Sequence, residues 1–203
     1  MSPLPNSSPG ETAAAPQPSS SAVGEYSSQE RELLLHLAHQ AIDTALEECE
    51  LALPLISEHL QQQRGAFTTL HLEGEVRGCV GYVFPVSPLF QTIIETARAA
   101  AFQDMRFLPV TREEAARLQI SISILSLLFP IKAEEVELGK HGLLITQGNR
   151  RGLLLPQVPA EHGWDLNTFL EQTCRKAGLP PDAWQHEATL EAFTAEIFGE
   201  GVL

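Results

Sequence analysis

The chain has 203 residues, enough for one medium domain or a domain with a tail, and its 43% apolar content suffices for a core. Its 13 basic and 26 acidic residues give a net charge of −13, which disfavours tracking a polyanion, where clustered Lys and Arg must neutralise phosphates. The three cysteines, Cys49, Cys79 and Cys174, form no CxxC pair, so neither a disulfide framework nor a structural zinc site is expected and a reducing cytoplasm fits best. No apolar run approaches the roughly 18 residues that span a bilayer, and the N-terminus does not read as a signal peptide, so no membrane partner is expected. The basic pairs Arg150-Arg151 and Arg175-Lys176 read as solvated surface, not as a nucleic-acid patch.

In chain order, residues 1–25 are mostly Ser, Pro, Ala and Gly with isolated large apolar residues, the composition of a disordered tail. Order is expected over 26–203. Ser27 and Glu30 make a capping box before Leu33, Leu34, Leu37, Ala38, Ala41 and Ile42, which predicts an amphipathic helix to about Cys49. Ala66–Leu72 reads as a strand, Glu73-Gly74-Glu75 as a tight turn and Val76–Val83 as its hairpin partner. Pro88 opens a second helix through Ala101, whose small residues allow it to sit close to a sheet. A second capping box, Thr111 with Glu114, starts a short helix, and the alternation of Ile120, Ile122 and Ile124 predicts a strand over Gln119–Leu127. His141–Thr146 and Arg151–Leu155 form a second hairpin. Asp165 caps a helix that Gly178 and Pro180-Pro181 stop, with Cys174 on its apolar side. Ala188–Phe198 reads as a last strand, with helix as the alternative. Helices packed on mostly antiparallel hairpins make the fold α+β.

The segment that carries chemistry is Val76-Arg77-Gly78-Cys79-Val80-Gly81. On a regular strand Arg77, Cys79 and Gly81 share one face while Val76, Val80 and Tyr82 take the other, and Gly81 leaves a gap where a ligand or a backbone can approach. A guanidinium near a thiol favours the thiolate, the nucleophilic form. Cys79 is therefore either a nucleophile or ligand anchor, or a small apolar residue packed between Gly78 and Gly81. Arg77 either clamps an anion or pairs with an acidic neighbour such as Glu75. Asp104 and Arg106 either orient a ligand at the mouth of that site or satisfy each other and the backbone. His141 is the histidine best placed in sequence to carry a proton, with a structural role as the alternative. His36 and His39 lack a third ligand and make a weak metal signal. With no His-Glu-x-x-His, phosphate loop or Gly-x-Gly-x-x-Gly, no metal and no cofactor is expected.

Four blocks resemble the AMMECR family, known in prokaryotes as AmmeMemoRadiSam system protein A. Val76–Gly81 resembles its Leu-Arg-Gly-Cys-Ile-Gly signature. Ala99–Phe107 is similar to Ala-Ala-Phe-x-Asp-Pro-Arg-Phe, with Met105 in place of proline. The other blocks are Gly139–Gly142 with Arg151–Val158, and Phe169–Pro180 with Trp184 beyond. The resemblance covers about Glu25 to Glu200 and implies a compact α+β protein with a larger and a smaller lobe. It also implies association with a Memo-like protein and a radical SAM protein, without assigning a reaction. Three readings remain open: an accessory protein with a small polar or anionic ligand pocket around Arg77, Gly78, Cys79 and Gly81; an enzyme with Cys79 as nucleophile and His141 as base; and an interaction scaffold without a ligand site.

Overall fold

A computed structural model describes residues 24–200; of the tail expected over 1–25, residues 1–23 lie outside the described residues, as do 201–203 at the other end. Gly24 and Glu25 are described, and Glu25 is held by the folded part: its N–H donates to Glu196 at 2.6 Å, and its carboxylate accepts from Arg64 at 2.9 Å.

The first helix, α1 (Ser28–Glu47), begins at the expected capping box. The Ser27 side chain accepts from Glu30 N–H and the Glu30 carboxylate accepts from Ser27 N–H. It buries Leu34, Leu37, Ala38, Ala41 and Ile42, the stripe set by its 3.6-residue period. Strands β1 (Ala66–Leu72) and β2 (Glu75–Tyr82) form a hairpin around Glu73 and Gly74, both at positive φ (55° and 85°). Helix α2 (Leu89–Phe102) follows, with Pro88 as its cap residue, and then α3 (Arg112–Ala115), which starts at the Thr111–Glu114 box. Strand β3 (Gln119–Leu125) stops two residues short of the expected end, where the chain crosses to a second sheet.

β4 (Phe129–Pro130), β5 (Gly142–Gln147) and β6 (Arg150–Leu154) come next, followed by the short helix α4 (Val158–His162) and by α5 (Leu166–Lys176). Asp165 caps α5 as expected, accepting from Thr168 N–H at 2.8 Å. The segment read as one last strand is two: β7 (Thr189–Phe193) and β8 (Ala195–Gly199), separated only by Thr194 and lying in different sheets. The alternation breaks just before the crossing, at the consecutive buried residues Ala192 and Phe193, but such a slip in sequence reads equally as a bulge within one strand.

Both sheets are antiparallel, with orders β2-β1-β3-β8 and β4-β7-β5-β6. Helices α1 and α2 cover one face of the first sheet, over Ala66, Leu70, Ile120, Ile122 and Ile124. A buried hydrogen bond of 2.8 Å joins Thr68 Oγ1 on β1 to Thr96 Oγ1 on α2. Helix α5 packs Phe169 and Leu170 with Leu143 and Ala192 of the second sheet; Cys174 is buried there, and burial pushes its thiol pKa up. None of the described helices is long and apolar enough to cross a membrane.

Candidate functional site

β2 is an edge strand of the first sheet, so half of its backbone groups lack a strand partner. The loop after α2 supplies partners. Asp104 Oδ2 accepts from Cys79 N–H at 2.9 Å, and Arg106 Nη2 donates to the Cys79 carbonyl at 3.4 Å. Arg106 also donates to Asp104 through Nε (2.9 Å) and Nη2 (2.6 Å). One Asp–Arg pair thus takes the place of a missing strand at Cys79. The Asp104 side chain is only 7% exposed, and its hydrogen bonds from Arg106 and from Cys79 N–H hold its carboxyl well below the usual carboxylate range. Around Met105, which stands where the family pattern has proline, the loop is closed by hydrogen bonds. Asp104 Oδ1 accepts from Arg106 N–H at 3.2 Å, its carbonyl accepts from Phe107 N–H at 3.0 Å, and Met105 points outward at 99% exposure.

Arg77 departs from the expected geometry. The register slips between Leu70 and His71, so Gly78 pairs with Leu70 and Val76 with His71, leaving Arg77 as the extra residue of a bulge. Bulges re-aim side chains. The Arg77 fork closes on Glu114, not Glu75, with Nε to Oε1 at 3.0 Å and Nη2 to Oε2 at 3.1 Å, and it lies over the Phe107 ring. Arg77 and the backbone N–H of Thr111 together lower the Glu114 pKa to about 2. The cation is engaged in a bidentate pair, with its side chain 14% exposed. Val76 and Tyr82, expected on the core face, are exposed, and of the three only Val80 packs on the core.

Both glycines are filled against. A Cβ at Gly78 would meet the Ala100 carbonyl oxygen at 2.2 Å, so Gly78 is what lets α2 approach β2. A Cβ at Gly81 would meet Phe67 Cδ1 at 2.2 Å; the gap expected there is covered by its cross-strand neighbour's ring.

The Cys79 thiol remains. Cys79 pairs with Thr69, Thr69 with Ser121, and Ser121 with Gly199, so these side chains form a row across the sheet face opposite α2. Thr69 Oγ1 donates to Cys79 Sγ at 3.2 Å, and His71 Nε2 is 3.1 Å from Ser121 Oγ. Cys79, Thr69, His71 and Ser121 are all half-buried. A cavity of 150 Å³ lined by His71, Gly74, Gln119 and Glu200 adjoins the His71 end. Sequence reasoning missed Thr69, His71 and Ser121. Thr69 and His71 occupy alternate positions of the strand read as the hairpin partner of β2, which is the signal that could have found them, whereas nothing local marks β3, which carries Ser121, as the next strand.

His141 does not join this group. It precedes β5 in the second sheet, is 7% exposed, and accepts at Nδ1 from Glu137 N–H (3.1 Å), with Phe129 packed edge-on. That bond places the proton of the neutral ring on Nε2. The structure therefore brings together Arg77, Cys79, Asp104 and Arg106 at one sheet edge and leaves His141 elsewhere. Five cavities of 150 to 600 Å³ have linings that include neither Arg77 nor Cys79. Among the described residues no group of three His, Cys, Asp or Glu side chains is arranged to hold a metal; His39 Nε2 instead contacts Glu200 at 2.8 Å.

Comparison with known proteins matches residues 35–198 to the family model described as AMMECR1. A protein of Aquifex aeolicus is 41% identical over 177 residues, which covers 82% of this chain and 91% of the relative. Protein MJ0810 of Methanocaldococcus jannaschii is 39% identical over 182 residues, covering 85% and 90%. Among solved structures, the uncharacterized protein PH0010 from Pyrococcus horikoshii has a TM-score of 0.69 at 39% identity, over 83% of this chain and 90% of that one. None of these names states an activity.

Proposed function

The chain belongs to the AMMECR1 family, and from that premise we propose that it is an accessory protein which offers a small polar ligand the thiol–hydroxyl row of its first sheet. In this reading it works in the cytoplasm beside Memo-like and radical SAM proteins. The observation that carries it is the Cys79 thiol, half-buried, hydrogen-bonded by Thr69 and in one row with Ser121, while Asp104 and Arg106 clamp its backbone N–H and carbonyl at the open edge of the strand. A sheet face with fixed backbone and short polar side chains is preorganised, so a ligand meets little ordering cost there. Arg77 and Asp104 hold this surface in place, whereas Cys79, Thr69, Ser121 and His71 would touch the ligand.

Thiol–disulfide exchange tests it. Cys79 is expected to capture the 2-hydroxyethyl thiol from its symmetrical disulfide, releasing mercaptoethanol, at least fivefold faster than the ethyl thiol from diethyl disulfide. Thr69→Val with Ser121→Ala should abolish that preference. Capture without preference, or no capture, would count against a polar-ligand site.

A cysteine-nucleophile enzyme remains a second reading, because a histidine does lie on the thiol's face. That histidine is His71, not His141, on the strand that pairs with β2 and linked to Ser121. Diagonal cross-strand neighbours lie roughly 7–8 Å apart, within reach of an imidazole. If His71→Asn leaves Cys79 reactivity toward acyl thioesters unchanged from pH 5 to 9, this second reading fails.

A further inference from the structure

The basic pairs Arg150-Arg151 and Arg175-Lys176, apart in sequence, come together at the outer edge of the second sheet. β6 ends that sheet, and beyond its pairing with β5 no backbone hydrogen bond reaches Arg150–Leu154 among the described residues. One row of its N–H and C=O groups is therefore open, a template for a further strand. At β2 Asp104 and Arg106 fill that role, and β4, at the far end of the second sheet, is two residues long and closes with proline.

Helix α5 lies over β6. A Cβ on Gly152 would run into Ala177 N and the Thr173 carbonyl, and Arg150 Nη1 donates to the Gly178 carbonyl at 2.9 Å. Cys174 turns instead to Ile145 of β5. Lys176 stands about 200° round the helix from Cys174, at about 100° per residue, which puts it on the flank beyond the open edge. Side chains alternate along β6, so Arg150 shares the α5 face with Gly152 while Arg151 takes the opposite face. Cations thus border the edge from both sides, and all four are exposed.

All 13 basic residues of the chain are described. Arg31, Arg64, Arg77, Arg106, Arg117 and Lys140 each close on a carboxylate, and Arg98 and Arg112 donate to carbonyls of α1. Apart from Lys132, the remaining cations are the four at this edge, and none of them is in an ion pair among the described residues. In a chain of net charge −13, unpaired cations gathered along an open strand call for an explanation. Basic residues at a helix C-terminus meet its dipole, which accounts for Arg175 and Lys176 but not for Arg151 or the bare edge. An extended segment with consecutive carboxylates accounts for both. Its backbone would continue the ladder, and its alternating side chains would meet Arg150 and Lys176 on one face and Arg151 on the other.

We propose that the β6 edge is an interaction surface that takes up an acidic, extended segment of a partner protein as a fifth strand of the four-stranded second sheet. The surface is independent of the thiol face and stands or falls apart from it.

Titration of the full chain with the peptide acetyl-Thr-Val-Glu-Glu-Val-Thr-amide at low salt, followed through the backbone amides by NMR, tests this. Saturable shifts of the Arg150–Leu154 amides are expected, with alternate ones gaining protection from exchange. The Gln-Gln version of the peptide should bind at least tenfold more weakly for lack of charge. So should the Glu-Glu peptide N-methylated at both valines, which keeps its charge but obstructs either of its edges. Arg151→Glu with Lys176→Glu should weaken the parent peptide at least tenfold, and the two control peptides keep the test decisive on the unaltered chain if that variant unfolds. No saturable binding, or equal affinity for either control peptide, would overturn the proposal. So would hexathymidylate bound as tightly as the acidic peptide, which would make the edge a general anion patch. Dimerisation of the full chain that Arg151→Glu abolishes would give the edge to a second copy and overturn it too.

Discussion

Asp104 uses one carboxylate for two tasks, taking the Cys79 amide and fixing Arg106, which returns to the Cys79 carbonyl. Asp104→Ala is therefore expected to raise the exchange rate of the Cys79 amide at least tenfold while leaving amides of β3 unchanged. Met105 lies at the second position of the Asp104–Phe107 turn, where proline's fixed φ is favoured. Met105→Pro should raise stability by about 0.4–1 kcal/mol in denaturant titration, acting through the unfolded chain. Arg77 answers to Glu114, so Arg77→Met should cost about 2 kcal/mol by stranding that carboxylate. The rate of Cys79 labelling should change less than twofold in this variant, provided it is measured where the variant stays folded. A tenfold fall would restore Arg77 as the activator of the thiol.

At the scale of elements, the signals that are local in sequence were legible and those that are not were hidden. Both side-chain capping boxes, at Ser27–Glu30 and Thr111–Glu114, and the Asp165 cap lie within four residues and could be read directly. The β1–β2 hairpin followed from Glu73-Gly74 between alternating runs. The bulge at Arg77 has no local signature, because it depends on how β2 meets β1, and it overturned the shared face assumed for Arg77 and Cys79. The partners of the motif, Asp104 and Glu114, stand 25 and 37 residues away, so composition could suggest an ion pair for Arg77 but not which one. Gly78 stands beside the thiol in sequence, yet its reason is the backbone of α2. Gly78→Ala would press a methyl against the Ala100 carbonyl and should cost about 3 kcal/mol, with loss of protection in the β2 and α2 amides.

For the whole molecule, an α+β protein was the natural reading of helices interleaved with hairpins. The division into two sheets was not readable from the residues alone, because the only local mark of the crossing at Thr194, the consecutive apolar pair Ala192-Phe193, reads equally as a bulge within one strand. That division separates His141 from Cys79. The same architecture sets the acid response. Glu114 has a folded pKa of about 2, against about 4.3 for an unperturbed glutamate, and Asp104 is lowered as well. Their stabilisation is fully present above the unfolded values and is lost as pH falls toward the folded ones. Stability should therefore decline between about pH 4.5 and 2, and Glu114→Gln should flatten that slope while lowering the plateau at neutral pH.

The most direct test is timed labelling of the native protein with iodoacetamide, read at each cysteine by mass spectrometry. Cys49 is exposed and Cys174 buried, so they bracket the response within one chain. The account predicts that Cys79 is alkylated under native conditions within about tenfold of Cys49 while Cys174 stays protected. If Cys79 instead labels together with Cys174, only when the chain unfolds globally, the thiol is a packing residue and the face it lies on is not a binding site.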